Sequence, residues 1–247
     1  MRATVAAALV LRHACAFRGG SSAPRLGRLC ASAQSRPELC VFDLDDCVWH
    51  PEMFTLTSMP GRAILGDLNG RGQGVVGVES GSEVIRLFPG ALQALQECAD
   101  GEHDPMRLAV ASSADTPFAA RIAHAALAML EVLPGVTVRD TLARGWPADF
   151  QGNVQIGRSS PLSSDKSATH FPILKEGTGI SYVGMLFFDD SNWSDHCTIV
   201  AKPRRALLED SSRNCPGVVT QRTPSGMQAS EWRGALEKYA RTVCAPP

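Results

Sequence analysis

Short, continuous apolar runs alternate with longer amphipathic stretches along most of the chain. Three of the runs have the composition of strands that are buried on both faces: 39–42, 107–111 and 183–188. A late strand is predicted at 218–219, and 136–138 is a further candidate. Strands that alternate with helices predict an α/β fold, with one doubly wound, Rossmann-like, mostly parallel sheet, helices on both faces and no large cap domain.

Amphipathic periodicity predicts the helices between these strands. They are expected from residue 89 onwards, over 117 to about 133, over 166–175, near 193–200 and over 229–242. Thr116 or Asp115 is the expected cap of the second of them, and the proline that follows Thr116 is tolerated in a first helical turn. Ser164 or Asp165 is the expected cap of helix 166–175, which Gly177 and Gly179 would close.

Glycine is concentrated in residues 55–83, which are predicted to form a loop insertion or an irregular hairpin rather than regular elements. The glycines there are Gly61, Gly66, Gly70, Gly72, Gly74, Gly77 and Gly81. Because the segment follows the first strand directly, it either covers a site at the end of that strand and selects the substrate, or is a surface insertion. The polar stretch 145–164 is predicted to be a second irregular connection.

The first 37 residues differ in composition from the rest of the chain. They contain six arginines, many alanines and several serines, and no acidic residue precedes Glu38. This composition is typical of an organelle transit peptide, which would direct the protein to a mitochondrion or a plastid. The alternative is a disordered leader on a cytoplasmic protein. In either case residues 38–247 are predicted to form one domain of ordinary size that buries its own core.

Composition excludes several classes of function. A formal net charge of −1 and an aromatic content of 6% provide neither the basic surface nor the rings that nucleic-acid binding needs. No apolar run approaches the roughly 20 residues that cross a bilayer, so no membrane span is predicted. The eight cysteines include no Cys-x-x-Cys pair. Zinc binding and dithiol redox chemistry are therefore not expected.

Polar side chains with reactive potential follow three of the predicted strands. Asp43 and Asp45 come directly after the first strand, Ser112 and Ser113 after 107–111, and Asp189 and Asp190 after 183–188, while Lys166 lies between the last two strands. The carboxyl ends of parallel strands share one edge of a sheet, so these groups are expected to converge on one crevice. A phosphate monoester is strongly anionic, and carboxylates can attack it only when a hard cation and a lysine neutralise the site.

Taken singly, each of these residues also has an ordinary structural interpretation. Either acidic pair alone can be a turn or a helix cap, Ser112 a turn hydroxyl and Lys166 a solvated lysine. His170 is expected to be a hydrogen-bonded structural histidine rather than a partner of Lys166. The tryptophans Trp49, Trp146 and Trp193 are expected to be packing anchors. The order and combination of the polar groups therefore carry the functional hypothesis.

The motifs occur in an order that resembles a known superfamily. DLDDC, an apolar strand ending in SS, SDKSATHF and MLFFDD resemble the haloacid dehalogenase superfamily of aspartyl-phosphate hydrolases. Within it, FDLD followed by a tryptophan, DKSATHF, the Thr-Gly of KEGTGI and FFDD resemble the magnesium-dependent phosphatase-1 family. The resemblance covers about residues 39–200, with weaker similarity through GVVTQRTPSGM.

The resemblance implies a role for each polar group. Asp43 would be the nucleophile that forms an aspartyl-phosphate, and Asp45 the general acid and then the general base. Mg²⁺ would be held by the carboxylates of Asp43 and Asp190 and by the backbone carbonyl of Asp45.

The phosphoryl group would have its own set of contacts. By the same resemblance, Ser112 and the backbone amide of Ser113 would bind the phosphoryl oxygens. Lys166 would neutralise the charge between nucleophile and phosphate. Asp189 would support the site from behind.

The chain departs from the family pattern at a few positions. Asp46 and Cys47 stand where relatives commonly have a small aromatic or glycine and a threonine, and Ser113 stands where an arginine or another polar residue is frequent. Cys47 is expected to pack as a small buried residue, whereas Asp46 adds a negative charge beside an anion site. Substrate choice is the property least transferable from the family.

These observations predict a Mg²⁺-dependent phosphatase that acts on a phosphorylated small molecule or a phosphoprotein. Phosphotyrosine and sugar phosphates are both compatible with an open site that has no cap. A phosphotransferase would use the same residues, and product analysis separates it from a hydrolase. The alternative from another class is a non-catalytic phosphate-binding or interaction protein on the same fold.

Overall fold

The computed structural model describes residues 36–202 and 215–244. In chain order the strands are β1 (Leu39–Phe42), β2 (Trp49–His50), β3 (Arg62–Asp67), β4 (Gln73–Ser80), β5 (Glu83–Leu87), β6 (Arg107–Ser112), β7 (Glu131–Leu133), β8 (Val136–Thr137), β9 (Val154–Ile156), β10 (Met185–Asp189) and β11 (Val219–Arg222). The helices are α1 (Pro89–Asp100), α2 (Pro117–Met129), α3 (Val138–Ala143), α4 (His170–Thr178), α5 (His196–Ala201) and α6 (Ala229–Cys244). Two 3₁₀ turns cover Met53–Thr55 and Tyr182–Gly184.

A five-stranded parallel sheet in the order β11-β10-β1-β6-β9 forms the centre of the molecule. β1 pairs in parallel with β10 on one side and with β6 on the other, so its end is flanked by the ends of both neighbours. The order reverses at β1, which is the position where ligands bind in open α/β sheets. The prediction of a mostly parallel α/β sheet is confirmed, and the described residues contain no large cap domain.

Side chains of the parallel strands alternate between two apolar cores. In β1, Cys40 and Phe42 face the core under α1, α2 and α6, and Leu39 and Val41 face the core under α4 and α5. All four residues are buried, which explains why the strand is apolar throughout. Helices therefore cover both faces of the sheet, as the sequence predicts.

The glycine-rich segment 55–83 is not a loop: most of it forms the hairpin β3-β4, the second of the two predicted possibilities, and its last residue begins β5. The hairpin belongs to an antiparallel sheet in the order β2-β5-β4-β3. Asn69 and Gly70 both adopt positive φ at its turn, and Asn-Gly is a typical hairpin signal. The register shifts between Ile64 and Leu65, so the hairpin is irregular there. The many glycines obscured this strand pattern.

Several predicted boundaries move because local hydrogen bonds compete with the helix. Helix α4 begins at His170 rather than 166, since the Asp165 carboxylate accepts hydrogen bonds from the amides of Ser167 and Ala168 and holds a turn there. Helix α2 ends at Met129, and the chain continues into the short hairpin β7-β8. The connection 145–164 contains a strand, β9, which pairs with β6.

The predictions of no membrane span and of a leader at 1–37 can be compared with the structure only where it describes the chain. No helix within 36–202 and 215–244 is long and apolar enough to cross a membrane. The predicted leader at 1–37 lies outside the described residues except for its last two positions.

Candidate active site

Asp43 lies at the carboxyl end of the central strand, where the chain leaves the sheet. Its amide donates to the carbonyl of Phe188 (2.9 Å), so the parallel pairing of β1 and β10 extends to the carboxylate-bearing residue. The residue is 7% exposed and lines a cavity. Burial raises the pKa of Asp43; Lys166 opposes this rise, while Asp189 and Asp190 add to it.

Lys166 is 1% exposed and lies between two carboxylates. Its Nζ is 2.9 Å from Oδ1 of Asp43 and 2.6 Å from Oδ2 of Asp189. Burial would lower the pKa of this amine, but the two carboxylates outweigh that effect and raise it. Lys166 is therefore a fixed positive charge beside Asp43, and the solvated alternative does not describe it.

The carboxylates of Asp43, Asp189 and Asp190 form an oxygen-rich cluster. One ligand atom from each lies within 4.8 Å of the other two. Asp189 is fully buried and already engaged, because Oδ2 contacts Lys166 and Oδ1 accepts hydrogen bonds from the amide (2.8 Å) and hydroxyl (3.0 Å) of Ser191. Asp189 therefore holds Lys166 in place, and its role as a supporting residue stays a prediction.

Asp43 and Asp190 retain oxygens that could hold a divalent cation. The Oδ2 atom of Asp190 accepts one hydrogen bond, from the Asn192 amide (3.0 Å). Within the described chain, no hydrogen bond reaches Oδ1 of Asp190 or Oδ2 of Asp43. Burial raises the pKa of Asp190. Carboxylate oxygens that are buried together and lack enough protein donors fit a hard cation such as Mg²⁺.

Asp45 has a different environment from Asp43, although only one residue separates them. Its Oδ1 accepts a hydrogen bond from the indole Nε1 of Trp49 (2.9 Å), and its Oδ2 accepts one from the Met53 amide (3.1 Å). Burial raises the pKa of Asp45 to about 6, even though these two donors act in the opposite direction. A carboxyl group in this range can both give and take a proton near neutral pH.

Ser112 and Ser113 bring hydroxyl and amide groups to the same cavity. Ser112 ends β6 and lines the cavity together with Ser113. Within the described residues the Ser112 hydroxyl has no hydrogen-bond partner. Its carbonyl accepts hydrogen bonds from the Gly157 amide (2.9 Å) and from Nε2 of His170 (3.1 Å), which fixes the strand end.

His170 is a structural histidine, as expected. Its Nε2 also contacts the Gly157 carbonyl (3.1 Å), and its Nδ1 is 3.2 Å from the Thr169 hydroxyl. Since both partners of Nε2 are carbonyl oxygens, Nε2 carries the proton of a neutral ring. Burial, followed by the charge of Lys166, lowers the pKa of His170 to about 4.

The cavity above these groups has a volume of about 500 Å³. It brings together Asp43, Asp45, Ser112, Ser113, Lys166 and Asp190, whereas the buried Asp189 is not among its lining residues. Among the described residues, six carboxylates and two permanently cationic side chains line it, so this lining carries a net negative charge. A bound cation would offset part of this charge.

Aromatic side chains stand at the mouth of the cavity. Trp193 is 80% exposed and is not a packing anchor, contrary to expectation. Its ring lies edge-on to Phe54, with 6.3 Å between centroids, and its Nε1 donates to Glu52 (2.9 Å). Arg158 pairs with Asp115 across 3.0 Å at the same opening. The sequence offered no periodic signal for these irregular segments, so Glu52, Phe54 and Arg158 were not predicted.

Comparison with known proteins agrees with this arrangement. The model of a family described as acid phosphatase matches residues 35–242, which include every group named above. No curated protein matches the chain significantly.

Proposed function

Because the chain belongs to the acid phosphatase family, a haloacid dehalogenase-like family, we propose that it is a Mg²⁺-dependent hydrolase that acts through an aspartyl-phosphate on Asp43. The family match confirms the superfamily and the phosphatase class. The narrower resemblance to magnesium-dependent phosphatase-1 is part of the proposal. One observation carries it: Asp43 lines the cavity, Lys166 Nζ lies 2.9 Å from its Oδ1, and no hydrogen bond from the described residues reaches its Oδ2.

The first half-reaction transfers the phosphoryl group to the protein. The free oxygen of Asp43 attacks phosphorus, and the bond between phosphorus and the leaving oxygen breaks. Asp45 gives its proton to that oxygen, so the product leaves as a neutral alcohol or phenol. The Ser112 hydroxyl and the Ser113 amide bind phosphoryl oxygens, while Lys166 offsets their negative charge.

The second half-reaction returns the enzyme to its starting state. Asp45, now ionised, takes a proton from water as the water attacks phosphorus. The bond between phosphorus and the Asp43 oxygen then breaks, and inorganic phosphate leaves. Asp43, Asp190 and the backbone carbonyl of Asp45 would hold Mg²⁺, which supplies positive charge that weakens the repulsion between carboxylate and phosphate.

Aromatic phosphate esters are the substrate class that the cavity mouth favours. Phe54 and Trp193 offer ring surfaces at the opening, where a phenyl leaving group can pack. The six carboxylates disfavour a leaving group that carries further negative charge, such as a second phosphate. Phosphotyrosine in a neutral or basic peptide meets both conditions, and a neutral sugar monophosphate meets only the second.

The test measures phosphate release from p-nitrophenyl phosphate with and without Mg²⁺. Asp43→Asn keeps the shape of the side chain but removes the nucleophile, and we expect turnover to fall by at least about 1,000-fold. Asp67→Asn, on the exposed hairpin strand β3, is the matched control and should retain activity. Equal turnover in Asp43→Asn and wild type would overturn the assignment of the nucleophile.

Product analysis separates the proposed hydrolase from its rivals. A phosphotransferase would form a new phosphate ester in the presence of an alcohol acceptor, whereas a hydrolase yields inorganic phosphate alone. A protein that binds phosphorylated ligands in the presence of Mg²⁺ and never releases phosphate would support the non-catalytic alternative.

A further inference from the structure

Both oxygens of the Asp45 carboxylate are held by donors that the catalytic motif itself does not supply. Trp49 Nε1 donates to Oδ1 at 2.9 Å, and the Met53 amide donates to Oδ2 at 3.1 Å. A carboxylate oxygen can accept two hydrogen bonds, so one lone pair remains on each oxygen. The carboxylate is thus fixed in direction but keeps sites for a proton.

Trp49 can act as a rigid donor because the second sheet immobilises it. The side chain is fully buried, and its backbone belongs to β2, where Trp49 pairs with Leu87 of β5. The turn before it is closed by hydrogen bonds from the Val48 and Trp49 amides to the Leu44 carbonyl, at 2.8 and 3.2 Å. The indole therefore has a fixed position relative to the end of β1.

Restraint of Asp45 matters because a cation lines the same cavity. Lys166 shares that cavity with Asp45, and its Nζ already pairs with the carboxylates of Asp43 and Asp189. An unrestrained carboxylate would be drawn toward that amine and away from the leaving oxygen. The indole and amide donors oppose this movement.

We propose that Trp49 is a positioning residue that aims the Asp45 carboxyl group at the leaving-group oxygen, with the Met53 amide as the second support. The inference rests on the proposed role of Asp45 as the general acid and base. It also gives the antiparallel sheet a function: within the described chain none of β3, β4 or β5 lines the cavity, yet β5 fixes the strand that carries Trp49.

The test compares leaving groups that need a proton with one that does not. p-Nitrophenolate is a stable anion near neutral pH, whereas the phenol of tyrosine has a pKa of about 10 and leaves poorly as an anion. kcat/KM reports the step in which the leaving group departs. We would measure kcat/KM of the full chain with Mg²⁺ for p-nitrophenyl phosphate and for phosphotyrosine.

Trp49→Phe keeps an aromatic ring but removes the N–H donor. We expect its kcat/KM for phosphotyrosine to fall about tenfold or more beyond any fall for p-nitrophenyl phosphate, because general acid catalysis contributes roughly 100- to 10,000-fold. Trp232→Phe is the matched control, since Trp232 is also fully buried and its Nε1 donates to Glu97 (2.7 Å) outside the cavity. It should lower both values equally or not at all.

A second pair of variants tests the other donor and does not depend on the folding of Trp49→Phe. Met53→Pro removes the amide donor at the first position of a 3₁₀ turn, where proline is tolerated. Met53→Ala loses the same buried side chain but keeps the amide. Only Met53→Pro should show the selective loss with phosphotyrosine.

Asp45→Asn separates failure of the inference from failure of the proposed function. If Asp45→Asn shows the selective loss while Trp49→Phe and Met53→Pro do not, the positioning role is wrong and the proposed function stands. If Asp45→Asn shows no selective loss, or if the wild-type chain releases no phosphate, the proposed role of Asp45 fails and the inference fails with it.

Discussion

The two sheets of the molecule place their charged groups in opposite ways. At the carboxyl edge of the parallel sheet, Lys166 is 1% exposed and contacts the buried Asp43 and Asp189. On the antiparallel sheet the paired charges of Arg62 and Glu79 have side chains that are 73% and 29% exposed. Charges that are removed from water must be matched closely, and their burial raises or lowers pKa values. Reactive groups are therefore concentrated at the carboxyl edge of the parallel sheet, and the antiparallel sheet holds neighbouring residues in place.

The largest expected effect comes from removing the buried amine. Lys166→Met leaves two buried carboxylates without their cation, so we expect a loss of about 3–5 kcal/mol in the free energy of unfolding. Phosphatase kcat should fall by at least about 100-fold, because the charge beside the nucleophile is lost. Urea unfolding and phosphate release measure the two effects.

A double variant separates these two consequences. Lys166→Met combined with Asp189→Asn removes one of the uncompensated charges, so part of the stability should return while activity stays low. Lys175→Met, on the exposed side of α4, loses a contact between the amine and the Tyr182 ring and should cost no more than about 1 kcal/mol, with activity unchanged. Full activity in a stable Lys166→Met variant would show that phosphatase activity does not depend on the buried positive charge of Lys166.

A variant of Asp190 tests whether the carboxyl edge of the parallel sheet binds Mg²⁺. Asp190→Asn removes a carboxylate whose Oδ1 accepts no hydrogen bond from the described residues, and we expect the Mg²⁺ concentration for half-maximal rate to rise roughly 10- to 100-fold. The measurement is a Mg²⁺ titration of initial rates. Asp46→Asn, three residues after the nucleophile, should leave the titration almost unchanged, and an equal shift in both variants would indicate a general effect of charge.

The free energy of unfolding should depend on pH through His170, which lies next to the end of β6. Its folded-state pKa of about 4 lies below the unfolded value of about 6.5, so the unfolded chain takes up the proton first as the pH falls. The stability due to the neutral ring is present above pH 6.5 and is lost toward pH 4. It should decrease by about 2 kcal/mol between pH 7.5 and 5.

The matched variant for this prediction is His170→Gln, which can still donate to the carbonyls of Ser112 and Gly157. Chemical unfolding of wild type and variant at several pH values isolates the contribution of the ring. The difference in unfolding free energy should shrink as the pH falls through this window. A constant difference would mean that His170 takes up no extra proton on unfolding.

The aromatic mouth should affect substrate binding more than chemistry. Trp193→Ala removes an exposed ring that contacts Phe54, and ring packing contributes about 0.5–1.5 kcal/mol. We expect KM for phosphotyrosine to rise a few-fold, with kcat unchanged and KM for a sugar phosphate unaffected. An equal change for both substrates would contradict aromatic selection.

The smallest effect is expected on the outer surface of the hairpin. Leu65 is 71% exposed and is not among the residues that line the cavity. Leu65→Ser should change stability by no more than about 0.5 kcal/mol and leave kcat/KM unchanged. A strong loss of activity would mean that the hairpin takes part in substrate binding.

Sequence patterns predicted the parallel sheet well because its strands are buried on both faces. Residues 39–42 of β1, 108–111 of β6 and 185–188 of β10 are all apolar, and the groups at the strand ends converge as expected for parallel strands. Strands that alternate between core and solvent were harder to recognise. In β4 the glycines interrupt the alternation, and only Asn69-Gly70 signalled the hairpin.

Contacts between distant irregular segments could not be predicted from the sequence. The hydrogen bond from Trp193 to Glu52 joins residues that are 141 positions apart, and neither belongs to a helix or a strand. Trp49 looked like a packing residue, and it is fully buried, but its donor role depends on where Asp45 points. Such roles follow from tertiary geometry rather than from local periodicity.

The most direct test of the account is to trap the covalent intermediate. Wild-type chain would be mixed with p-nitrophenyl phosphate and Mg²⁺, quenched during turnover and reduced with borohydride, which converts an aspartyl-phosphate to homoserine. Peptide mass spectrometry should then find homoserine at position 43 and nowhere else. Phosphate release without any reduced residue, or homoserine at Asp45 or Asp190, would contradict Asp43 as the nucleophile.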